Sequence, residues 1–396
     1  MMTTLPPLKF IITGVVAAGA LSAGATLAQA GEFAQTNLVS DVNGLAPVID
    51  PDLKNPWGVS FIPGVTPFWV SNQATNTTTL YAATGFTSVS KFAQLPLVAI
   101  PTTGAGPQGP TGQVSNANPS SFIMSDGSPA FFIFANLNGQ ISAWNLGVKP
   151  LTSAVVEWTT PGALYTGLAV NQAHTMLYAA NNATGAIDVF NSSFAPTLPG
   201  TFATPTSISS LGLTPFNVQD LGGNIYVTYA PLTHALQTTA TAGKGAVAEF
   251  SETGAFEKVV IPGGPGGVLA SPWGITLAPA SFGEYGGDLL VGNFSFADSG
   301  IHAFDPTTGA PVGTIPIDVG AGNTPGGLWT LTFGGGDGDG NPNVLFFTDG
   351  INGEKDGLFG AITSVPEPST WLMMLTGLGA LGLAARLRRS RERALA

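Results

Sequence analysis

The chain contains no cysteine, which excludes disulfides, thiolate metal sites and cysteine catalysis, so the fold is held by its core alone. Charge is also scarce: 9% of residues are charged, against about 25% in ordinary soluble domains. Arginine is missing from residues 1–385, because Arg386, Arg388, Arg389, Arg391 and Arg393 all lie at the C-terminal end. Between residues 31 and 364 six lysines face twenty-one acids, a formal balance of −15. A field of that sign repels nucleic acid and anionic membrane surfaces, so no nucleic-acid partner is expected. The three histidines, His174, His234 and His302, are far apart in the sequence, and no shared metal site is expected of them. No serine sits in a nucleophile-elbow motif, and the run Gly263-Gly264-Pro265-Gly266-Gly267 lacks the following helix that a phosphate cradle needs.

What is present is apolar residues (44%), 53 glycines and 31 prolines, enough apolar surface to exclude disorder. Residues 1–30 hold one base, Lys9, then an apolar run from Phe10 to Ala28, closing on Ala28-Gln29-Ala30. Small residues at Ala28 and Ala30 predict cleavage by signal peptidase after Ala30; an uncleaved anchor is the other reading of so long a run.

At the other end, Val365-Pro366-Glu367-Pro368-Ser369-Thr370 precedes an apolar stretch from Trp371 to Ala385 and then the arginines. Two prolines forbid helix before Ser369. The uncharged run that follows spans about 25 Å as a single helix, close to a bilayer core of ~30 Å. The arginines should stay cytoplasmic, which puts the preceding domain outside. This order of elements resembles the PEP-CTERM sorting signal, with Pro366, Glu367 and Pro368 as its triplet. The resemblance implies an exosortase-like processing protease as partner and the inner membrane as a station in transit. The domain would be periplasmic in an anchored precursor, then at the cell surface or extracellular. A plain tail anchor gives the same topology.

Between the ends a tripartite pattern recurs six times: a short apolar strand often opened by an aromatic, a second strand ending in Asn or Asp, and a third with alternating apolar positions. Trp57, Phe122, Thr166, Phe216, Trp273 and Trp329 open the units, at intervals of 65, 44, 50, 57 and 56 residues. Intervals near fifty predict an all-β, six-bladed β-propeller over residues 31–364, flanked by the signal segment (1–30) and a sorting segment with one helix (365–396). Outer strands are expected over 91–100, 154–160, 256–261 and 311–318. The sixth unit lacks one, and the unpaired segment Ala34–Ser40 is expected to supply it and close the ring. A β-sandwich or two small β domains is the alternative that short strands also permit.

The stretches Asn37–Asp41, Asn55–Ser60, Gly287–Phe294, Ala303–Gly309 and Asn352–Gly360 make the domain similar to exported propellers of the NHL and regucalcin type found with PEP-CTERM signals. Five of the six second strands end in Asn72, Asn136, Asn181, Asn293 and Asp349, which would ring one mouth of the channel. Regucalcin-like and gluconolactonase-like propellers hold calcium there with amide and carboxylate oxygens, so the resemblance implies calcium as the cofactor to consider. The plainer reading is that Asn and Asp suit the hairpin turn itself. Trp57, Trp273 and Trp329 would form either a sugar-stacking platform at that mouth or aromatic packing between blades. Asp337-Gly338-Asp339-Gly340-Asn341 resembles half a calcium loop, but Thr348 stands where an EF-hand needs Glu. The expectation is a non-catalytic exported binding or structural propeller of the cell envelope or extracellular matrix, with extracellular polysaccharide as its partner. The other reading is a calcium-dependent hydrolase.

Overall fold

The computed structural model describes residues 33–103 and 106–365. The expected signal segment with Ala28 and Ala30, the expected C-terminal helix and the triplet Pro366, Glu367 and Pro368 lie outside the described residues. Among the described residues no helix is long and apolar enough to cross a membrane.

The described residues form six sheets around one axis; five are antiparallel and built from the inside outwards along the chain, and the sixth adds Phe33–Ser40 antiparallel and Val48–Ile49 parallel at its outer edge. The inner strands are Pro56–Ser60, Pro110–Ser115, Tyr165–Val170, Leu213–Leu221, Pro272–Leu277 and Leu328–Phe333. Each pairs with a second strand, Phe68–Asn72 in blade one and Leu345–Asp349 in blade six, for example, which in turn pairs with a third. The strands form where aromatic and β-branched residues cluster, and glycine or asparagine at positive φ turns the hairpins between them, as at Gly139 and Gly185. Expected outer strands occur at Val155–Thr159, Phe256–Ile261 and Pro311–Ile315. In blade one the outer strand is split into Ser88–Lys91 and Leu97–Ala99, both paired with the third strand.

Blade two departs from the sequence reading. Its inner strand is Pro110–Ser115, and Phe122 lies outside it with its backbone at φ 52, burying its ring against Phe194. Thr111 therefore replaces Phe122 as the opening residue, and the first two intervals become 54 and 55 residues. Phe122 is as aromatic as the other openers, while Pro110-Thr111-Gly112 carries the right spacing without the aromatic.

That Pro-x-Gly spacing has a steric reason. A Cβ on Gly58 would lie 2.6 Å from the carbonyl oxygen of Thr111 in the next inner strand, and one on Gly112 or Gly274 would run closer still into Leu168 and Trp329 of their neighbours. Glycine thus lets adjacent inner strands approach around the axis. Blades four and six place polar side chains at the same step. Asn217 donates to the Trp273 carbonyl (2.9 Å) and Thr330 to the Trp57 carbonyl (2.8 Å).

The ring closes as expected. Phe33–Ser40 pairs antiparallel with the third strand of blade six, Leu358–Ser364, so the first described strand is the outer strand of the last blade. Leu38 and Val39 are fully buried there with Phe68, Tyr81 and Phe359, and Ser40 Oγ donates to the Gly357 carbonyl at 2.6 Å. The half-buried ring of Phe33 reaches blade five, 5.0 Å from Phe282 and 5.1 Å from Tyr285.

Candidate functional site

Inner strands begin, and second strands end, at the same end of the propeller: Pro56 pairs with Asn72, Pro110 with Asn136, Tyr165 with Asn181 and Leu328 with Asp349. At this end the connections surround a funnel of about 600 Å³. Its walls alternate amides (Asn55, Gln73, Asn182, Gln237) with apolar side chains (Leu137, Leu164, Leu232).

Aromatic rings close the bottom. Trp57 and Trp329 stack with centroids 3.4 Å apart, and Trp273 meets both edge-on at 6.1 and 5.7 Å. Phe294 and Phe216 complete the plug at 4.3 and 6.0 Å from Trp329. Two indoles are fixed by hydrogen bonds, Trp273 Nε1 to the Thr166 carbonyl (2.7 Å) and Trp329 Nε1 to Asn55 Oδ1 (2.9 Å). The three tryptophans are therefore brought together, but at most 4% exposed: their faces are spent on one another, and they form a floor rather than an open platform. Beyond the floor a narrow cavity of about 70 Å³ continues along the axis, lined by Gly58, Gln113, Asn217 and Thr330.

The ring of strand-end residues behaves differently. Asn72 donates to Thr77 and Thr79 of its own third strand (3.2 and 3.0 Å), and Asn181 to Asp188 (2.9 Å). Asn136 accepts from the Asn138 amide (3.1 Å), Asn293 from the Ala270 amide (2.9 Å). The amide nitrogens of Asn72 and Asn181 and the amide oxygens of Asn136 and Asn293 are thus engaged within their own blade or the segment leading into it, while Asn72 Oδ1 is buried without a hydrogen-bond partner. No group of three or more acidic or histidine side chains placed to hold a metal exists among the described residues. In the Asp337–Asn341 loop, Asp339 is buried and accepts from the Gly64 amide at 2.8 Å.

Asp349 occupies the position that Asn fills in four other blades, but opposite Leu358 it meets no donor, and both its oxygens are buried without a hydrogen bond. Burial alone pushes its carboxyl well above the usual carboxylate range. A raised carboxyl stabilises the fold fully only below the unfolded value near 3.9, and that contribution is lost as pH rises through the folded value. Asp349→Asn should accordingly leave the melting temperature unchanged near pH 3.5 and raise it progressively towards pH 8. Thermal melts across that range check this; a variant less stable than the parent at pH 8 would show that the carboxyl has a partner.

The residues that shape the funnel lie one position further along. Gln73, Leu137 and Asn182 directly follow Asn72, Asn136 and Asn181, in the turns that leave the second strands, and line the mouth, while the amides of Asn72 and Asn181 bond within their own blades. A hydrogen-bonded line starts at the floor. Asn55, which accepts from Trp329, donates to Gln73 Oε1 (2.9 Å) and Glu354 Oε1 (3.1 Å), and Glu354 Oε2 receives His234 Nε2 at 2.7 Å. His234 comes from the loop of blade four and Glu354 from that of blade six, so the pair bridges over blade five. The Glu354 hydrogen bond raises the His234 pKa against the opposing effect of burial. The bridge is at full strength below the ordinary histidine value near 6.5 and weakens as pH rises through the raised one. Asn55 (φ 44) and Glu354 (φ 64) both hold left-handed backbone, strain of the kind that collects at functional sites.

Fold and mouth together define a six-bladed β-propeller with a blind axial funnel, in a chain whose residues 364–389 match the PEP-CTERM protein-sorting motif. The chain belongs to the family of "Uncharacterized protein R648" of Acanthamoeba polyphaga mimivirus, with which it is 30% identical over 343 residues, 82% of this chain and 78% of that protein. "Uncharacterized protein L690" of the same virus is 30% identical over 278 residues, covering 68% of this chain and 70% of its own. Among solved structures, a structural genomics protein of unknown function from Bacteroides thetaiotaomicron aligns with a TM-score of 0.49 at 12% identity, covering 84% of this chain and 76% of that one. The Dos1 propeller aligns with a TM-score of 0.43 at 9% identity, covering 79% and 70%. The sorting motif marks an exported protein, sorted through the membrane by exosortase-like machinery.

Proposed function

We propose that the exported propeller is a non-catalytic binding protein of the cell envelope or extracellular matrix, and that its funnel takes the end of a neutral polysaccharide chain. Signal cleavage after Ala30 and a mature domain of residues 31–364 belong to the same reading. The observation that carries it is the closed funnel: amide and apolar walls in alternation suit a ligand with hydroxyl edges and apolar faces, and the indole floor admits a chain end but no threaded chain. The one acid on the funnel wall, Glu354, is already paired with His234, so the site adds little to the acidity of the surrounding domain. An anionic polymer would be repelled by that domain, which favours a neutral one.

Leu232, 47% exposed on the funnel wall, allows a test that spares the core. Neutral gluco- and galacto-oligosaccharides of two to six units, titrated calorimetrically into residues 31–364, should include a binder that Leu232→Asp weakens at least tenfold. Absence of any binder up to millimolar concentration, or binding indifferent to Leu232→Asp, would rule the funnel out as a saccharide site.

A further inference from the structure

We propose that a second pocket, on the flank between blades one and two, holds the alkyl chain of a membrane lipid. The pocket measures about 440 Å³ and is walled almost wholly by apolar side chains, with Trp69, Phe132 and Trp144 at its back and Val65, Leu146 and Leu151 at its rim. The rim is open to solvent, Val65 being 74% and Leu146 65% exposed, while the back is buried. An apolar cavity this open, with Thr66 and Gln94 as its polar lining side chains, offers little to a sugar or a metal and matches a hydrocarbon.

Position identifies which hydrocarbon. The pocket is formed largely by the connection from inner to second strand in blade one (residues 61–67), the start of the second strand in blade two, and the connection that follows Trp144. These all lie at the end of the propeller opposite the funnel. The third strand of blade six finishes at that same end, at Ser364, because Leu345 there pairs both with Phe333 and with Ile362. Ser364 is where the match to the sorting motif begins, so the part of the chain that takes it to the membrane departs from the end that carries the pocket. The acidic domain disfavours anionic headgroups, which makes the occupant a chain of a zwitterionic or neutral lipid. Adjacent alkyl chains in a bilayer are a supply that requires no carrier.

The pocket contains its own reporters, since the Trp69 ring lies 4.1 Å from Phe132 and 4.8 Å from Trp144. The full chain, reconstituted in phosphatidylcholine nanodiscs with plain or dibrominated acyl chains, should lose tryptophan emission to bromine contact. Leu146→Asp and, separately, Leu151→Asp should abolish the part of that loss due to Trp69 and Trp144, whereas any quenching of Trp371 is common to all the proteins and cancels. Equal quenching in parent and both variants would overturn the proposal. So would a dimer in sedimentation that Leu146→Asp dissociates, because the pocket would then be covered by a second copy of the chain.

Discussion

Removal of residues 31–42 should abolish folding rather than trim it. The deletion takes away the outer strand of blade six and with it two fully buried side chains, Leu38 and Val39, each contributing about 1.5–3 kcal/mol. It also removes the ladder to Leu358–Ser364, the hydrogen bond from Ser40 to Gly357 and that from the Gly357 amide to Asp41 (2.8 Å). A loss of about 5 kcal/mol or more is comparable with the whole stability of an ordinary domain, roughly 5–15 kcal/mol. The exposed edge of Leu358–Ser364 would then be open to pairing with other chains. Circular dichroism melts and gel filtration of the truncated domain should show no cooperative transition and a shift to aggregates. An unchanged melting temperature would mean that strand Phe33–Ser40 is not needed to close the ring.

Gly112→Val and Gly274→Val should be nearly as severe, although neither residue touches the funnel. The first Cβ would collide with the Leu168 amide and the second with the Trp329 carbonyl, and both obstacles are backbone atoms of the adjoining inner strand. Ordinary overpacking is relieved by side-chain shifts at about 1–3 kcal/mol, but a backbone obstacle in a closed ring moves only if every blade moves with it. Destabilisation of about 4 kcal/mol or more is expected, read as loss of soluble protein or a steep fall in denaturant midpoint. Gly338→Ala, on a loop with nothing within 4 Å of the added carbon, provides the matched control and should change the midpoint little. If Gly112→Val melts like the parent, the inner strands are not held at the spacing described.

The blade plan was legible because propeller strands repeat a physical problem: an apolar strand, a turn, another apolar strand. Trp57-Gly58 and Trp273-Gly274 show both halves of the inner-strand solution, an aromatic for the plug and a glycine for close approach, and so stand out in the sequence. Thr111-Gly112 keeps only the second half, so nothing aromatic marks the inner strand of blade two. Ring closure could be inferred from counting alone, since blade six lacked an outer strand and Ala34–Ser40 lacked a partner. The mouth was harder to read. Whether Asn72 or Gln73 faces the funnel is decided where the second strand ends and the short 3-10 turn Gln73–Thr75 begins, a boundary that composition does not mark. His234 and Glu354 are 120 positions apart and belong to blades that are not neighbours, so no local pattern joins them.

The strand pairing that closes the ring also sets a schedule. Ser40 and Gly357 are 317 positions apart, and the last blade is incomplete until both are present on the same side of the membrane. An exported chain threads out from its N-terminus, so blades one to five can emerge while the outer strand that waits for Leu358–Ser364 has nothing to pair with. Long-range closure of this kind is slow by its nature. Completion therefore coincides with the arrival of the residues directly before the sorting motif, which begins at 364. The propeller locks only once essentially all of it has crossed, and a finished fold can then act as a stop against backward slippage.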